Sequence, residues 1–480
     1  MRDLEPFSPF FWPTGPALPG IKPVFEKPPF VLLGDTMPFF HQGVCHLFVC
    51  HPPVILHYAS RDLLNWQERP LVVKQGPTSA DDVHWCATGT VVPNNGRFLF
   101  FYTGNQNVCL ATSDDLDRWT KHPGNPVLTG DDTTYNRQYF RDPYVFFNRA
   151  EGLWWMLLGT QTMSKPATRS GCVGLAKSSD LIHWKLCAPL WAPGIGISCD
   201  CPQMIEHEGR YFVLYLHRNA RYRVADSPSG PFERPPVRNI GTSWAITLSR
   251  PGFDGKRWIA WPFICPTTDE TDLGPWHYAG PLGVGRQYTF TSEGVISERP
   301  LDEVIQAMQR LPEQSHSALA GAVPLVGKWD TSQSGRARSL NGSGGTLLMP
   351  STPADIYFEA KVSFDRPDMD AHVLLRVDEE LLKGYQITLH PRTQQVSIRL
   401  VSLADVERVM AYRSARLRVG EPNRLRVFLC GSVMELFVND EISLTTRAYQ
   451  HRSGALGLEF RDGTGEFSDL TIRELRNSGD

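Results

Sequence analysis

Residues 59–66 read ASRDLLNW, and this stretch decides the fold because it recurs along the chain. Closely similar stretches occupy residues 112–119 (TSDDLDRW) and 177–184 (KSSDLIHW), and a degenerate copy runs from Asp226 to Phe232. In each copy the Ser and Asp side chains can close a turn, and the Trp can cap the core of a sheet. We therefore interpret these Asp residues as structural and the stretch as one unit of a repeated β architecture.

Five predicted hairpin turns form a second repeat that interlocks with the first. Each ends in Gly after a polar residue and is followed by an aromatic-rich strand, such as Phe98 to Tyr102. The turns are His41-Gln42-Gly43, Asn94-Asn95-Gly96, Ala150-Glu151-Gly152, His207-Glu208-Gly209 and Phe253-Asp254-Gly255. Successive turns lie about 50 residues apart, which suits one four-stranded blade. The pattern predicts an all-β fold that begins with a five-bladed β-propeller.

The character of the sequence changes after Pro300. Apolar residues at helical spacing predict one helix from Leu301 to Leu311, and a Ser/Gly-rich stretch follows at residues 332–345. From Ile356 onward, alternating apolar residues and frequent turns predict a C-terminal β-sandwich. We predict a propeller catalytic domain over residues 1–305, a helix and linker over 306–345, and a β-sandwich domain over 346–480.

Composition and charge are those of a globular protein. The 480 residues are 41% hydrophobic and 21% charged, with a formal net charge of −3, which excludes a disordered chain. The sequence has no basic cluster, so neither nucleic acid nor a membrane is an expected partner. The start carries acid and early prolines where a signal peptide carries base and an apolar run. We expect a cytoplasmic location.

The ten cysteines fit the same compartment. All but Cys430 lie before residue 270, and several, including Cys50 and Cys109, stand inside apolar strand-like runs where a free thiol packs as a small hydrophobe. The stretch Cys199-Asp200-Cys201 lacks the spacing of zinc-binding pairs and has no suitable partner pair. We therefore expect reduced thiols, no metal and no cofactor.

Three Asp residues stand beside turn-forming or backbone-restricting residues, far apart in a chain of hairpins. They are Asp35 in Gly34-Asp35-Thr36, Asp142 in Arg141-Asp142-Pro143 and Asp200 in Asp200-Cys201-Pro202. Glycoside hydrolysis needs one acid and one base or nucleophile on opposite sides of the scissile bond. An all-β fold can assemble such a centre from separate hairpins, so the pattern indicates a glycosidase with three catalytic carboxylates.

Further motifs over nearly the whole chain carry a resemblance to a known family. They are Phe101-Tyr102-Thr103-Gly104, Phe140-Arg141-Asp142-Pro143, Cys201-Pro202, Gly285-Arg286-Gln287-Tyr288, Glu298-Arg299-Pro300, Ser432 to Asp440 and Thr445 to Tyr449. In these motifs the chain resembles glycoside hydrolase family 32, the group of β-fructofuranosidases, invertases and levanases. The resemblance implies a five-bladed propeller joined to a sandwich, and an exo-acting enzyme that cleaves terminal furanosides from oligosaccharides or small glycosides.

The resemblance also implies a role for each carboxylate. The family nucleophile of the Asn-Asp-Pro context matches Asp35, the transition-state stabiliser of Arg-Asp-Pro matches Asp142, and the acid/base of Glu-Cys-Pro matches Asp200. The transition state places positive charge on the anomeric carbon, so Asp35 would attack while Asp200 protonates the departing oxygen. Arg141 is expected beside Asp142.

Departures from the family pattern concern substrate recognition. The Asn before the nucleophile is Gly34, and a sugar-binding Gln is replaced by Cys50, so two amides that read hydroxyls are missing. The family's Ser-Gly-Ser is Thr88-Gly89-Thr90, which keeps both hydroxyls. We predict that Trp85 stacks on a sugar face and that His84 supplies a replacement donor. The predicted substrate-binding residues are Arg141, Trp85, His84, Thr88 and Cys50.

Several alternatives stay open at this point. Asp in place of Glu at position 200 draws the carboxyl back by about 1.5 Å, and carboxyl separation decides between retention and inversion. We hypothesise retention with a compensating backbone shift. Glu206 and Glu208 are rival acids whose hairpin position indicates solvated residues. An arabinofuranosidase-like or otherwise altered furanosidase and a non-catalytic sugar-binding propeller remain alternatives, and both a monomer and a homodimer are compatible with the sequence.

Overall fold

The computed structural model describes residues 8–11, 32–74, 76, 85–237, 239–241, 249–381, 383–402 and 405–475. Regular structure in these ranges is mostly β-strand, arranged as five small sheets followed by two seven-stranded sheets. This order confirms the predicted all-β fold of a five-bladed propeller and a C-terminal sandwich. Within the same ranges, neither α-helix combines the length and the apolar character that a membrane crossing requires.

The propeller blades are antiparallel meanders of consecutive strands. Blade 1 contains β1 (Thr36–His41), β2 (Val44–His51), β3 (Val54–Ser60), β4 (Gln67–Glu68) and β5 (Val73–Lys74); blade 2 contains β6 (Cys86–Asn94), β7 (Arg97–Gly104), β8 (Asn107–Ser113) and β9 (Thr120–Lys121); blade 3 contains β10 (Tyr135–Asn148), β11 (Leu153–Thr162), β12 (Gly171–Ser178) and β13 (Lys185–Leu186); blade 4 contains β14 (Asp200–His207), β15 (Arg210–His217) and β16 (Asn219–Ala225); blade 5 contains β17 (Gly252–Phe253), β18 (Trp258–Ala260), β19 (Arg286–Phe290) and β20 (Ile296–Pro300). Short 3₁₀ turns lie at Ala167–Arg169 and Thr268–Glu270. In blade 4 the degenerate repeat leads to an isolated bridge between Val224 and Glu233.

The predicted turns join the first two strands of each blade. In blades 1, 2 and 4 the turn is two residues long and both residues have positive φ, such as 49° at Asn95 and 80° at Gly96. A tight hairpin needs this backbone geometry, which Gly adopts without strain. The turn residues therefore set the register of these three blades.

The Ser–Asp–Trp repeat connects the third strand of a blade to its outer strand. In blade 2, Ser113 Oγ accepts the Leu116 N–H at 2.9 Å and Asp115 Oδ1 accepts the Arg118 N–H at 2.8 Å. Leu116 is buried with a φ of 66°, and Trp119 Nε1 donates to its carbonyl at 2.8 Å. The structural interpretation of these Asp residues is confirmed.

Helix α1 (Asp302–Arg310) follows the last blade close to the predicted position. It packs Val304 and Met308 into a core that contains residues of both domains. Downstream the structure differs from the predicted linker, because a second helix, α2 (Ser315–Ala320), and three short strands occupy this segment. The Ser and Gly residues at 332–345 lie in turns and at the ends of strands. Because these residues are also typical of linkers, the short strands between them could not be recognised from the sequence. The domain limits at 305 and 345 stay a prediction.

The C-terminal domain consists of two seven-stranded antiparallel sheets that enclose one apolar core. Its strands are β21 (Val323–Val326), β22 (Trp329–Asp330), β23 (Ala337–Ser339), β24 (Gly344–Met349), β25 (Ile356–Phe364), β26 (Asp370–Val377), β27 (Gly384–His390), β28 (Gln395–Ser402), β29 (Asp405–Ser414), β30 (Asn423–Cys430), β31 (Val433–Val438), β32 (Ile442–Arg447), β33 (Ala455–Arg461) and β34 (Gly465–Glu474). One sheet has the order β21-β24-β33-β26-β27-β28-β29 and the other β22-β23-β34-β25-β30-β31-β32. Alternate residues of β25, including Phe358 and Val362, are buried in the core, as period-two patterning predicts.

Buried ion pairs join the sandwich to blade 5. Arg286 on β19 pairs with Glu435 on β31 at 2.5 Å, and Arg413 on β29 pairs with Glu298 on β20 at 2.7 Å. The four side chains are at most 4% exposed, so each charge depends on its partner. This network explains the Gly285-to-Tyr288 and Glu298-to-Pro300 motifs as interface features.

Candidate active site

The first strands of three blades bring their carboxylates to the centre of the propeller. Asp35 directly precedes β1, Asp142 lies in β10 and Asp200 begins β14. All three line one cavity of about 420 Å³, a volume within the range of small-molecule sites. Three of the predicted binding residues also line it, namely Arg141, Trp85 and Thr88, together with Cys201, Leu216 and Tyr278.

Irregular strand pairing accompanies the site residues of blades 2, 3 and 4. Register shifts interrupt the first strand pair of blades 2, 3 and 4, and they follow Arg141 in blade 3 and Asp200 in blade 4. Asp142 and Cys201 have φ values of 59° and 48°, which residues with a Cβ rarely adopt. Bulges of this kind re-aim side chains beside functional sites. The Asp-Pro and Cys-Pro dipeptides mark these bulges in the sequence.

Asp35 is held through one carboxylate oxygen. Thr88 Oγ1 and the Tyr278 hydroxyl donate to Oδ2 at 2.9 and 3.0 Å, and the Asp35 N–H donates to the same Tyr278 oxygen at 3.1 Å. Burial, followed by the charge of Asp142, raises the pKa of Asp35 to about 6. The hydrogen bonds from Thr88 and Tyr278 and the charge of Arg250 oppose this rise. Asp35 is therefore mainly ionised only above about pH 6.

Asp200 is also held through one oxygen. The Tyr139 hydroxyl donates to Oδ1 at 2.7 Å and Arg141 Nη2 donates to the same atom at 3.1 Å. Arg141 also lies beside Asp142, as expected, with 3.8 Å between Nε and Oδ2, so this arginine pairs with both carboxylates and donates its hydrogen bond to Asp200. Burial raises the pKa of Asp200, the charge of Arg141 opposes this, and the charge of Asp142 adds to it. The carboxyl thus retains a proton at a pH where an ordinary Asp has lost it.

Asp142 is the most enclosed of the three carboxylates, with 4% exposure. Its Oδ2 accepts the Cys201 N–H at 2.9 Å, and its own N–H donates to Thr103 Oγ1 at 2.8 Å. Gly159 on β11 packs against the Asp142 carboxylate and the Asp200 backbone, because a Cβ there would lie 3.3 Å from Asp142 Oδ2 and 3.2 Å from Asp200 Cα. Glycine therefore lets this strand approach the site closely.

Arg250 holds the inner strands of three blades together, a role that no feature of the sequence predicted. Its Nη1 donates to the carbonyls of Gly89 at 2.6 Å and Pro143 at 3.1 Å, and its Nη2 to those of Asp142 at 2.6 Å and Pro202 at 3.3 Å. The residue is 4% exposed. One buried guanidinium thus fixes the strands that carry the site. No local motif marks Arg250, since all four partners are distant in sequence.

The other predicted residues have different positions. Cys50 does not line the cavity; it is buried behind Thr88, with 3.6 Å between Sγ and Thr88 Oγ1. His84 lies outside the described residues. Glu206 and Glu208, the rival acids, are exposed at the far end of β14 and in its turn. Tyr278 was not predicted as a site residue, because it belongs to blade 5 and its partner Asp35 lies at the start of blade 1.

Comparison with known proteins identifies the family. Residues 31–246 match the glycosyl hydrolases family 32 N-terminal domain, and residues 326–474 match the family 32 C-terminal domain. The chain is 26% identical to the raffinose invertase of Escherichia coli over 94% of both chains. It is 28% identical to the sucrose-6-phosphate hydrolase of Bacillus subtilis over 62% of this chain and 69% of that protein. The crystal structure of fructan 1-exohydrolase IIa from Cichorium intybus covers 98% of this chain and 99% of its own, with a TM-score of 0.69 and 16% identity. Because the two domain matches together span most of the sequence, the chain belongs to glycoside hydrolase family 32.

Proposed function

We propose that the protein is an exo-acting β-fructofuranosidase that releases terminal fructose from short oligosaccharides. The observation that carries this proposal is the convergence of Asp35, Asp142 and Asp200 on one cavity of a family 32 propeller. The names of the relatives, an invertase and a sucrose-6-phosphate hydrolase, support a terminal fructoside as the substrate.

Asp35 acts as the nucleophile in this proposal. Among the described residues, both hydroxyl donors bind its Oδ2, which leaves Oδ1 for the anomeric carbon. Attack by Oδ1 forms an ester bond to the fructosyl carbon and breaks the bond to the leaving oxygen. The nucleophile must be ionised, so a pKa of about 6 predicts that kcat/KM falls as the pH drops below that value.

Asp200 supplies and recovers the proton. Tyr139 and Arg141 hold Oδ1, which leaves Oδ2 for the leaving oxygen, and the raised pKa keeps the proton in place. In the second step a water molecule gives its proton to Asp200 and attacks the fructosyl carbon, which frees Asp35 and retains the configuration. Because Asp is shorter than the family's Glu, retention requires the backbone at position 200 to lie closer to the sugar. The bulge that follows Asp200 supports such a backbone shift.

Asp142 binds sugar hydroxyls without transferring a proton. The Cys201 N–H occupies its Oδ2, so the other oxygen accepts a hydroxyl of the fructosyl ring. Trp85 gives the cavity a flat apolar wall on which a sugar ring can stack. Together with Arg141 and Thr88, these side chains recognise the ring in place of the two missing amides.

The alternative functions have weaker support. An arabinofuranosidase-like enzyme would share the three-carboxylate plan, but both domains match family 32 and the relatives are named for fructoside hydrolysis. A non-catalytic sugar-binding protein has no need of two carboxylates that each leave one oxygen for chemistry. We also propose a cytoplasmic location, which the ten free cysteines support.

A substrate panel tests the proposal. Sucrose, raffinose and 1-kestose are incubated with the enzyme beside a nitrophenyl arabinofuranoside, and the released sugars are separated by chromatography. We expect fructose from the three fructosides and no turnover by Asp35→Asn or Asp200→Asn. Glu206→Gln is the matched control, because this exposed carboxylate of the same strand should be dispensable.

Other outcomes of the panel would contradict the proposal. Preferential cleavage of the arabinofuranoside would support the pentofuranosidase alternative. Calorimetric binding of sucrose without turnover, unchanged by Asp35→Asn, would support a binding protein. Activity that survives Asp200→Asn and disappears in Glu206→Gln would show that the acid is assigned to the wrong residue.

A further inference from the structure

A tyrosine from blade 5 fills the space beside Gly34. A Cβ built on Gly34 would lie 2.3 Å from the Tyr278 hydroxyl oxygen and 2.7 Å from the ring carbon that carries it. The backbone of Gly34 is not in the left-handed region, so Tyr278, and not the backbone, excludes a side chain here. The position where the family pattern has Asn is therefore occupied by a phenol.

The backbone brings these two segments together. Leu33 and Gly280 form an antiparallel bridge in which each N–H donates to the other's carbonyl, at 2.9 and 2.8 Å. The bridge places Tyr278 beside the residues that follow Leu33. The ring of Tyr278 packs edge-on against Phe263, with centroids 5.0 Å apart, so the phenol is itself held in place.

The Tyr278 hydroxyl contacts both the backbone and the side chain of Asp35. It accepts the Asp35 N–H at 3.1 Å and donates to Oδ2 at 3.0 Å. Because a hydroxyl carries a single hydrogen, accepting from the N–H directs that hydrogen to the carboxylate. Rotation of the Asp35 carboxylate would break its hydrogen bond from the Tyr278 hydroxyl, and the Asp35 N–H helps to orient that hydroxyl.

We propose that Tyr278 is the positioning residue of the nucleophile: it fixes Oδ2 of Asp35 so that Oδ1 faces the fructosyl carbon, and Gly34 is small in order to admit it. This inference rests on the proposed role of Asp35. Gly34 and Tyr278 are then a coupled pair. The phenol from blade 5 occupies the space of a side chain at position 34 and holds the Asp35 carboxylate.

The charges around Asp35 define a readout that a merely structural tyrosine would not change. Burial and then the charge of Asp142 raise the pKa of Asp35, whereas the hydrogen bonds from Thr88 and Tyr278 and the charge of Arg250 lower it. Three thiols also face this carboxylate, and burial raises the pKa of each, so they stay neutral; they are Cys50, Cys201 and Cys265. Removal of the Tyr278 donor should therefore raise the pKa of Asp35 further.

Tyr278→Phe keeps the ring and removes the hydroxyl. We expect kcat to fall about tenfold to a hundredfold, with little change in KM. The acidic limb of the kcat/KM profile should move up by about 0.5 to 1 pH unit. The control is Tyr222→Phe, which removes a buried hydroxyl that accepts the Ile296 N–H at 3.2 Å, in blade 4. It should leave the limb in place. An unmoved limb in folded Tyr278→Phe would overturn the inference.

A double-mutant cycle tests the coupling even if the Phe variant folds poorly. Gly34→Ala should lower kcat/KM at least about tenfold in the wild type, because its Cβ displaces the phenol. In a Tyr278→Ala background the same substitution should cost less than about twofold, since the clash is gone. Equal losses in the two backgrounds would contradict the coupling.

Asp35→Asn separates failure of this inference from failure of the proposed function. If Asp35→Asn retains activity, the nucleophile is assigned to the wrong residue and the inference about Tyr278 fails with it. If Asp35→Asn is inactive while Tyr278→Phe has the kcat and pH profile of the wild type, the inference alone is wrong.

Discussion

Replacement of Asp35 by Asn is expected to abolish catalysis and to stabilise the fold at alkaline pH. Burial raises the pKa of Asp35 from 3.8 to about 6. The folded carboxyl therefore binds its proton more tightly than the unfolded one, and this contribution to stability, complete below pH 3.8, is lost as the pH rises through about 6. The difference between the two pKa values means that ionisation of Asp35 lowers the unfolding free energy by about 3 kcal/mol at pH 8, compared with the protonated carboxyl.

Urea unfolding of the wild type and Asp35→Asn at two pH values measures this effect. Asn keeps the size of the side chain and carries no charge, so the variant should gain about 3 kcal/mol at pH 8 and less than about 1 kcal/mol at pH 4. The exposed Glu206→Gln variant is the control and should show no gain at either pH. A variant that is less stable than the wild type at pH 8, or a gain that is equal at the two pH values, would refute the reasoning.

Three further predictions concern the scaffold and the stereochemistry. Arg250→Met should lower the unfolding free energy by about 3 kcal/mol or more, measured in urea, because four buried carbonyls lose their donor; a fully stable variant would contradict its role. Gly159→Val should reduce kcat at least about tenfold, because its Cβ and methyl groups crowd Asp142 Oδ2. Gly342→Ala, where a Cβ meets nothing, is the control. Hydrolysis in the presence of methanol should yield methyl β-fructofuranoside by NMR, whereas the α-anomer would exclude retention.

The blades could be predicted from the sequence because their determinants are local. Turns such as Asn95-Gly96 and the Ser–Asp–Trp stretches act within a few residues, so their chemistry is visible in the sequence. The structure of the segment at 306–345 was harder to predict from the sequence. Its strands are as short as two residues, Trp329–Asp330, and their stability depends on neighbours far along the chain, such as β34 beside β23.

The candidate site divides in the same way. Asp142 and Asp200 could be found because each stands in a short motif with Pro that coincides with a bulge. Tyr278 could not, because it lies 243 residues from Asp35 and acts through a contact between the first and last blades. Gly34 was interpreted as the loss of an amide, and in the structure the Tyr278 phenol fills the space that a side chain at position 34 would occupy. Arg141 lies beside Asp142, as expected, and its hydrogen bond to Asp200 is the contact that the sequence did not predict.

Trapping of the covalent intermediate tests the central claim most directly. In Asp200→Asn, a nitrophenyl fructofuranoside can still react, because its leaving group needs no proton, while hydrolysis of the ester lacks its base. Peptide mass spectrometry should then find a hexosyl group on the peptide that contains Asp35, and fragmentation should place it on that carboxylate. Continued product formation with Asp35 unlabelled, or a hexosyl group on another carboxylate, would contradict the account.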